Sequence, residues 1–261
     1  MDAEKIIIQA TDITIGYTSK KHPIKVTEHV TTQLTKGKLI GLIGENGIGK
    51  STLLRTLTGI QRPLHGQVLL EGKNIMSYTP SILAQKISLV LTEKLPPSNL
   101  SVYDLIALGR QPYTNWLGRL TEADVQKINQ AIALVQIEHL RNKKHFELSD
   151  GQMQSVMIAR ALAQDTPIII LDEPSTHLDL WHKVALFKLL KKLTQETQKC
   201  VLFSTHDIDL AIQMSDELIV MTKEKISQNS PCQLITQGVF ETLFQDETIR
   251  FDPQRGLFVV K

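Results

Sequence analysis

Nine residues near the start of the chain have the types and spacing that bind phosphate groups. They are Gly44, Glu45, Asn46, Gly47, Ile48, Gly49, Lys50, Ser51 and Thr52. Glycine lets backbone N–H groups curl around phosphate oxygens, Lys50 can bridge the outer phosphates, and the Ser51 hydroxyl can reach Mg²⁺. A glycine-rich turn with a solvated lysine is the alternative. The residues predict a phosphate loop that binds a nucleoside triphosphate, in which Lys50 also serves catalysis.

Two carboxylates and an imidazole could supply the rest of a phosphoryl-transfer site. Asp172 and Glu173 directly follow the apolar run 168–171, and His206 follows the run 200–204. Asp172 could anchor Mg²⁺, Glu173 could act as the base that activates water, and His206 could bond the terminal phosphate. Acids after a strand are often solvated loop residues, and a lone histidine is usually structural. Their combination with the phosphate loop favours catalysis.

Two further features could contact the nucleotide. Ser149 precedes a helical segment and is a candidate N-cap, so that N–H groups at Gly151 and Gln152 would face an anion. Tyr17 precedes the phosphate loop and could stack on a purine ring. An ordinary helix start and a packing tyrosine are the alternatives, and these residues by themselves leave both open.

The elements around the phosphate loop are those that the motif requires. The apolar run 39–43 predicts a buried strand before it, and residues 51–57 predict a helix after it. The runs 167–171 and 200–204 are apolar without alternation, which is typical of parallel strands covered by helices on both faces. Residues 181–198 predict the crossover helix between them. The carboxyl ends of such strands form the ligand-binding edge of an open α/β sheet.

The remaining segments complete an α/β fold with a helical insertion and an N-terminal β subdomain. Residues 6–18 predict a half-buried strand, and shorter strands are expected at 66–72 and 87–91. Between 94 and 167 the pattern is helical, and residues 256–260 predict an accessory strand. The prediction is one domain, 1–261, with its core at 1–92 and 161–220, a helical subdomain at 93–160 and an accessory segment at 221–261.

Composition restricts the class of protein. The chain has 261 residues, 42% hydrophobic and 21% charged, which excludes disordered and collagen-like classes. A net charge of +2 gives no long-range field for binding nucleic acid. Cys200 and Cys232 lack metal-ligand spacing and favour a reducing compartment. No apolar run approaches the roughly 18 residues of a membrane span, and Met1–Lys5 lacks a signal-peptide pattern, so we expect a cytoplasmic chain that docks on a membrane.

Taken together, these residues resemble the ATP-binding subunits of ATP-binding-cassette (ABC) transporters over nearly the whole chain. The phosphate loop resembles the Walker A motif, and four later segments resemble, in the family's order, the signature, Walker B, the D-loop and the switch histidine. Those segments are Leu148–Gln152, Ile168–Glu173, Ser175–Asp179 and His206. The resemblance implies a P-loop NTPase core, ATP and Mg²⁺ as cofactors, and ATP hydrolysis.

The resemblance also implies partners. In this family two cassettes pack head to tail, so that ATP on one Walker A loop is capped by the signature of the other chain. Ser149, Gly151 and Gln152 would then contact the γ-phosphate held by a second copy, and Tyr17 would stack on adenine. Such a homodimer would drive a separate membrane permease from the cytoplasmic face of the inner membrane, with a substrate-binding protein as an indirect partner and no nucleic acid.

Two stretches resemble a narrower group within the family. Val102–Tyr113 and Pro174–Leu180 look like the subfamily of importers for iron–siderophore complexes, haem and vitamin B12. This resemblance implies uptake of an iron–siderophore or related chelate. The cargo itself stays open, because the choice is expected to lie with the permease and the binding protein.

Three residues depart from the family's pattern. Thr92, followed by Glu93, stands where the family places a glutamine that contacts Mg²⁺ and the permease, so Thr92 is a candidate metal residue acting through water. Asp150 stands where glycine is usual, and repulsion from phosphate predicts that its carboxylate points away. Ser155 stands where a basic residue is common.

Other functions fit parts of the pattern. A soluble ABC-type ATPase could act in assembly or repair without a permease. A regulatory module could bind ATP with negligible turnover, which the residues Thr92 and Asp150 make conceivable. An unrelated P-loop kinase explains neither the signature nor His206. Co-purification with a permease and measured turnover separate these alternatives.

Overall fold

The computed structural model describes residues 5–18, 22–91, 98–176, 178–243 and 248–260 of the chain, and the description below concerns those residues. Their strands are β1 (Ile6–Tyr17), β2 (Ile24–Thr35), β3 (Leu39–Gly44), β4 (His65–Leu70), β5 (Lys73–Asn74), β6 (Ile87–Val90), β7 (Ile168–Leu171), β8 (Cys200–Ser204), β9 (Glu217–Met221), β10 (Ile226–Asn229), β11 (Ile249–Asp252) and β12 (Leu257–Val260). Their helices are α1 (Lys50–Leu57), α2 (Pro80–Lys86), α3 (Val102–Ala107), α4 (Glu122–Val135), α5 (Asp150–Ala163), α6 (Leu180–Thr197), α7 (Ile208–Met214) and α8 (Pro231–Thr236).

A six-stranded sheet with the order β10-β9-β3-β8-β7-β6 forms the centre of the fold. Strands β3, β8, β7, β6 and β9 run parallel, and β10 pairs antiparallel at one edge. Every residue of β3, β7 and β8 is buried, which explains why these strands are apolar without alternation. Because β3, β8 and β7 are neighbours, the loops that follow them meet at one edge of the sheet.

The two faces of this sheet are covered by different elements. Leu39 and Ile43 of β3 face the core that includes Phe187 of α6. Ile40 and Leu42 of the same strand face the opposite core, where α1 and the N-terminal sheet pack. The predicted α/β class is confirmed, as are the expected strand before the phosphate loop and the crossover helix, α6.

A second sheet with the order β2-β1-β4-β5 supports the phosphate loop from the N-terminal side. The hydroxyl of Thr27 in β2 donates to the carbonyl of Ile48 in the loop at 2.9 Å. Sequence patterns indicated β1 and β4 but missed β2, whose first six residues are not buried and whose buried positions include the polar Thr32 and Thr35. Register shifts also interrupt the pairing of β1 with β2.

The helices α3, α4 and α5 form a separate core in the segment between β6 and β7. A buried ion pair fixes them: Arg110, only 8% exposed, donates from Nε to Asp124 Oδ1 at 2.8 Å and from Nη1 to the Ala163 carbonyl at 2.8 Å. Asp124 also closes a capping box with Thr121 at the start of α4. One carboxylate therefore caps α4 and pairs with the cation that reaches α5.

The C-terminal part ends in a β-hairpin, and β12 confirms the accessory strand expected at residues 256–260. Phe251 packs on Phe240 and Phe258, with ring centroids 4.8 and 5.1 Å away. In the part of the chain that the structure describes, no helix combines the length and the hydropathy needed to cross a bilayer.

Candidate nucleotide-binding site

The phosphate loop connects β3 to α1 in a conformation that requires glycine. Gly47 and Gly49 have φ angles of +78° and +110°, the left-handed region that other residues rarely adopt. A Cβ on Gly49 would lie 2.7 Å from the Val26 side chain, so the close approach of β2 also excludes larger residues. Gly49 caps α1 without a side-chain hydrogen bond, which leaves the first N–H groups of α1 free of a side-chain acceptor. The loop therefore fits an anion such as a phosphate group.

Lys50 is the first residue of α1 and is 6% exposed. Its Nζ donates to the carbonyls of Gly44 at 2.8 Å and Glu45 at 3.2 Å, which closes the loop around the ammonium group. Burial lowers the pKa of Lys50, and the nearby carboxylates of Glu173 and Asp172 act in the opposite direction. The predicted base and metal residue therefore lie within electrostatic reach of the phosphate-binding lysine.

Asp172 lies at the carboxyl end of β7 and is almost fully buried. Its backbone N–H donates to the Val90 carbonyl at 2.8 Å, and its Oδ1 accepts a hydrogen bond from the Ser204 hydroxyl at 2.6 Å. An oriented, buried carboxylate at this edge has the chemistry that Mg²⁺ prefers. The contact with Ser204 was not indicated by the sequence, because it depends on the alignment of β7 with β8.

Glu173 has a polar neighbour at each carboxylate oxygen. Its Oε1 lies 2.5 Å from Nε2 of His206, and the Thr176 hydroxyl lies 3.2 Å from its Oε2 and 3.1 Å from its main-chain carbonyl. Its backbone has a φ of +50°, and its N–H donates to Ser204 Oγ at 2.9 Å. The structure therefore brings together Glu173 and His206, two residues that are 33 positions apart in the chain.

A second hydrogen-bond network ties the same two loops together behind this pair. The Ser175 hydroxyl donates to Asp207 Oδ2 at 2.8 Å, and Lys183 of α6 donates to Asp207 Oδ1 at 2.9 Å. Sequence reasoning missed this network. Polar residues directly after both strands were the available signal, but their pairing depends on how the strands align.

Tyr17 lies beside the first turn of α1. Its hydroxyl is 2.9 Å from the hydroxyl of Thr52 in the first turn of α1, and the residue is 48% exposed. The hydrogen bond holds the tyrosine beside the phosphate loop while leaving part of it accessible. The stacking role stays a prediction.

The signature residues occupy a different place. Ser149 is the N-cap of α5, as predicted, and forms a capping box with Gln152. Ser149 and the neighbouring Asp150 are exposed, and the hydroxyl of Ser155 donates to the Gly151 carbonyl at 3.1 Å. Within the described residues, no hydrogen bond or ion pair joins this helix tip to the phosphate loop. Thr92, Glu93 and His177 lie outside the described residues.

Comparisons with known proteins identify the family. The model of the ABC transporter family matches residues 27–176. The ferric enterobactin transport ATP-binding protein of Escherichia coli is 34% identical over 238 residues, which cover 91% of this chain and 86% of that protein. The petrobactin import ATP-binding protein of Bacillus subtilis is 36% identical over 233 residues, which cover 88% of this chain and 91% of that protein.

A solved structure has a fold similar to that of this chain. It is the dimeric, post-hydrolysis state of an ATP-binding cassette bound to ADP and Pi, and it matches with a TM-score of 0.76 at 26% identity. The match covers 86% of this chain and 99% of that chain. With its phosphate loop, carboxylates and helix tip in the arrangement described above, the chain belongs to the ABC transporter family, as an ATP-binding subunit that acts as an ATPase.

Proposed function

We propose that this ATPase subunit energises the uptake of an iron–siderophore or related chelate through a separate membrane permease. The observation that carries the enzymatic part is the cluster of Lys50, Asp172, Glu173 and His206 at one edge of the sheet. Two relatives are named as ATP-binding proteins for ferric enterobactin transport and for petrobactin import, and these names support the cargo class.

The residues of the phosphate loop bind the triphosphate in this proposal. The N–H groups of the loop and of the first turn of α1 face the phosphate oxygens, and Lys50 contributes the positive charge. Thr52 contacts Tyr17, which stacks on the base. Ser149, Gly151 and Gln152 of a second copy cap the terminal phosphate, because their helix tip is exposed and does not reach the loop of its own chain.

Ser51 and Asp172 are the proposed Mg²⁺ residues, with Thr92 acting through water. In the described ranges, no group of three or more His, Cys, Asp or Glu side chains could hold a metal ion. Nucleotide sites bind Mg²⁺ differently, through one or two protein oxygens together with the substrate's phosphates, and Ser51 and Asp172 fit that pattern. When bound, Mg²⁺ neutralises charge on the phosphate oxygens during transfer.

Glu173 is the proposed general base. His206 holds Oε1 and the Thr176 hydroxyl lies beside Oε2, an orientation from which the carboxylate can accept a proton from the attacking water. The imidazole of His206 lies within hydrogen-bond distance of Glu173. In this proposal it also forms a hydrogen bond with the terminal phosphate.

Replacing Glu173 by glutamine tests this assignment. The amide keeps the shape of the side chain but cannot accept a proton, so we expect steady ATP turnover to fall about 10²- to 10⁴-fold. ATP binding should persist, and an ATP-bound dimer should accumulate. Glu71→Gln, which changes an exposed carboxylate paired with Lys86, is the control and should leave turnover unchanged. Unchanged turnover in Glu173→Gln would exclude Glu173 as the base.

Partner capture tests the transport role. ABC ATPase subunits work as dimers with a membrane permease, and we place this chain at the cytoplasmic face of the inner membrane as a peripheral subunit. A tagged chain purified from detergent-solubilised membranes should bring down permease subunits, and a siderophore-loaded binding protein should stimulate ATP turnover in the reconstituted complex. Recovery of only soluble partners would instead support a role in assembly or repair, and negligible turnover in the complex would support a regulatory module.

A further inference from the structure

One fully buried hydroxyl contacts both carboxylate residues of the site. Ser204 is the last residue of β8, is 0% exposed, and aligns with Leu42 in the neighbouring strand β3. Its Oγ donates to Asp172 Oδ1 at 2.6 Å and accepts from the Glu173 N–H at 2.9 Å. A single side chain therefore uses its one donor on one acid and its acceptor capacity on the backbone of the next.

The first of these contacts fixes the carboxylate of Asp172. A carboxylate with no partner can rotate about its last bond, whereas one that accepts a short hydrogen bond from a rigid strand residue is held in one orientation. Ser204 is rigid in this sense, because it lies within the central sheet between β3 and β7. The hydrogen bond therefore orients the oxygens that the proposed metal site uses.

The second contact holds an unusual backbone conformation. The φ of Glu173 is +50°, in the left-handed region where a residue other than glycine is strained. That conformation directs the Glu173 N–H at Ser204 Oγ. The hydrogen bond stabilises the conformation that presents the Glu173 carboxylate to His206 and Thr176.

Another fully buried serine, Ser88, lies outside the candidate nucleotide-binding site. Ser88 in β6 is also 0% exposed, and its hydroxyl donates to the Ala161 carbonyl at 3.0 Å and lies 2.6 Å from the Thr166 hydroxyl. Ser88 thus has the same burial and number of partners as Ser204, but its partners belong to α5 and to the turn before β7. The two serines differ in what they hold, which makes Ser88 a matched control.

We propose that Ser204 is a positioning residue for ATP hydrolysis, which orients the Asp172 carboxylate for Mg²⁺ and holds Glu173 in its catalytic backbone conformation. The inference rests on the roles proposed above for Asp172 and Glu173. The two can fail separately: if Glu173→Gln abolishes turnover while the Ser204 variants behave like the control, only the role of Ser204 is excluded.

The test compares Ser204→Ala with Ser88→Ala. Each substitution removes one fully buried hydroxyl and its hydrogen bonds, so both should lower the temperature of unfolding. Only Ser204→Ala should lower kcat for ATP, by about tenfold or more at saturating ATP. Equal kcat in the two variants would overturn the proposal.

A binding measurement gives a readout that does not depend on turnover. ATP affinity is measured on the full chain with Mg²⁺ and with EDTA. In the wild type Mg²⁺ should increase the affinity, and in Ser204→Ala this increase should fall several-fold while the affinity in EDTA stays unchanged. In Ser88→Ala the increase should be that of the wild type. An undiminished increase in Ser204→Ala would exclude the orienting role toward Asp172.

A second pair of variants separates the hydroxyl from its volume. Threonine and valine have nearly the same shape, and only threonine keeps the hydroxyl. Ser204→Thr should retain most of the kcat and of the Mg²⁺-dependent affinity, and Ser204→Val should lose both. If the two variants are equally impaired, packing rather than hydrogen bonding explains the effect and the proposal is wrong. This comparison also serves if the alanine variant does not fold.

Discussion

The phosphate-loop edge and the signature helix tip are built in opposite ways. At the edge, three loops that are distant in sequence meet because β3, β8 and β7 are adjacent, and the polar groups hold one another. At the tip, Ser149 is satisfied locally by its own helix and remains exposed. One chain completes the edge, whereas within the described residues no hydrogen bond or ion pair joins the tip to the phosphate loop of its own chain.

This difference shows which part of the proposed nucleotide site one chain can form without a second copy. A parallel sheet gathers the ends of its strands at one edge, so Lys50, Glu173 and His206 converge without help from a partner. A helix N-terminus can bind an anion but must be brought to it. The comparison predicts that variants of the edge impair a single chain and that variants of the tip impair only the assembly.

The largest expected effect comes from Ser149→Arg. The substitution removes the capping hydroxyl and places a bulky side chain where we propose that the second copy docks, so we expect turnover to fall by about 1,000-fold or more. ATP affinity of the single chain, measured by titration at concentrations too low for dimers, should stay unchanged. The control is Ser101→Arg, which breaks an equivalent capping box at α3. Loss of ATP affinity in the Ser149 variant would contradict the two-chain site.

Arg110→Met tests how the lobe that carries the tip is held. Removing the cation leaves Asp124 buried without its charged partner, which should lower the free energy of unfolding by about 3–5 kcal/mol in urea denaturation. Arg141→Met is the control. Arg110 lies over the ring of Tyr113 and Arg141 lies over that of Tyr103, but Arg141 donates to an exposed asparagine instead of a buried carboxylate. We expect the control to cost less than about 1 kcal/mol.

The acid dependence of the same variant sharpens this prediction. Burial alone would raise the pKa of Asp124, but hydrogen bonds from Thr121 and Arg110 hold it below its ordinary value. Stability from a carboxyl with a lowered pKa is present above the unfolded pKa, about 4, and is lost as the pH falls through the folded pKa. The difference between wild type and Arg110→Met should therefore shrink below about pH 4. A difference that is constant with pH would show that the ion pair is not its cause.

Lys50→Met should impair the edge in a single chain. The substitution removes the charge at the phosphates and also the hydrogen bonds to the Gly44 and Glu45 carbonyls. We expect ATP affinity to fall about 100-fold, which corresponds to one strong contact with a charged group. Lys73→Met, on the exposed strand β5, is the control. An affinity within twofold of wild type would remove Lys50 from the site.

Tyr17 should give the smallest effect of the series. Tyr17→Ala removes a stacking surface and should weaken ATP binding by about tenfold, as loss of one aromatic–base contact does. Tyr17→Phe keeps the ring, loses only the hydrogen bond to Thr52, and should change ATP affinity by less than about threefold. Competition with a triphosphate that lacks a base checks the cause, because its affinity should be the same in all three proteins.

Much of this architecture could be predicted from the sequence because its signals are local. The phosphate loop has fixed spacing, the buried parallel strands are continuously apolar, and Ser149 has the type and position of an N-cap. The strands β2 and β10 could not be predicted in this way. Their positions are not uniformly buried, and their pairing partners are set by the fold as a whole.

The contacts within the site show the same division. The residue types of Asp172, Glu173 and His206 indicated their chemistry, but the hydrogen bonds of Ser204 and of Lys183 were beyond prediction. The Ser204 contact depends on which residue of β7 lies opposite which residue of β8, because a shift of one position would turn each side chain to the other face. The Lys183 contact depends on how α6 packs against the loop that follows β8. The boundaries of the helical and accessory segments remain predictions.

The bonds that Asp207 makes to Ser175 and to Lys183 have a mechanical consequence. They fasten two loops of the catalytic edge to α6, whose first turn carries the exposed side chains of Leu180 and Trp181. A displacement of either loop is therefore transmitted to that turn through short hydrogen bonds to a carboxylate. We expect the two loops and the start of α6 to move together as one rigid body during each catalytic cycle.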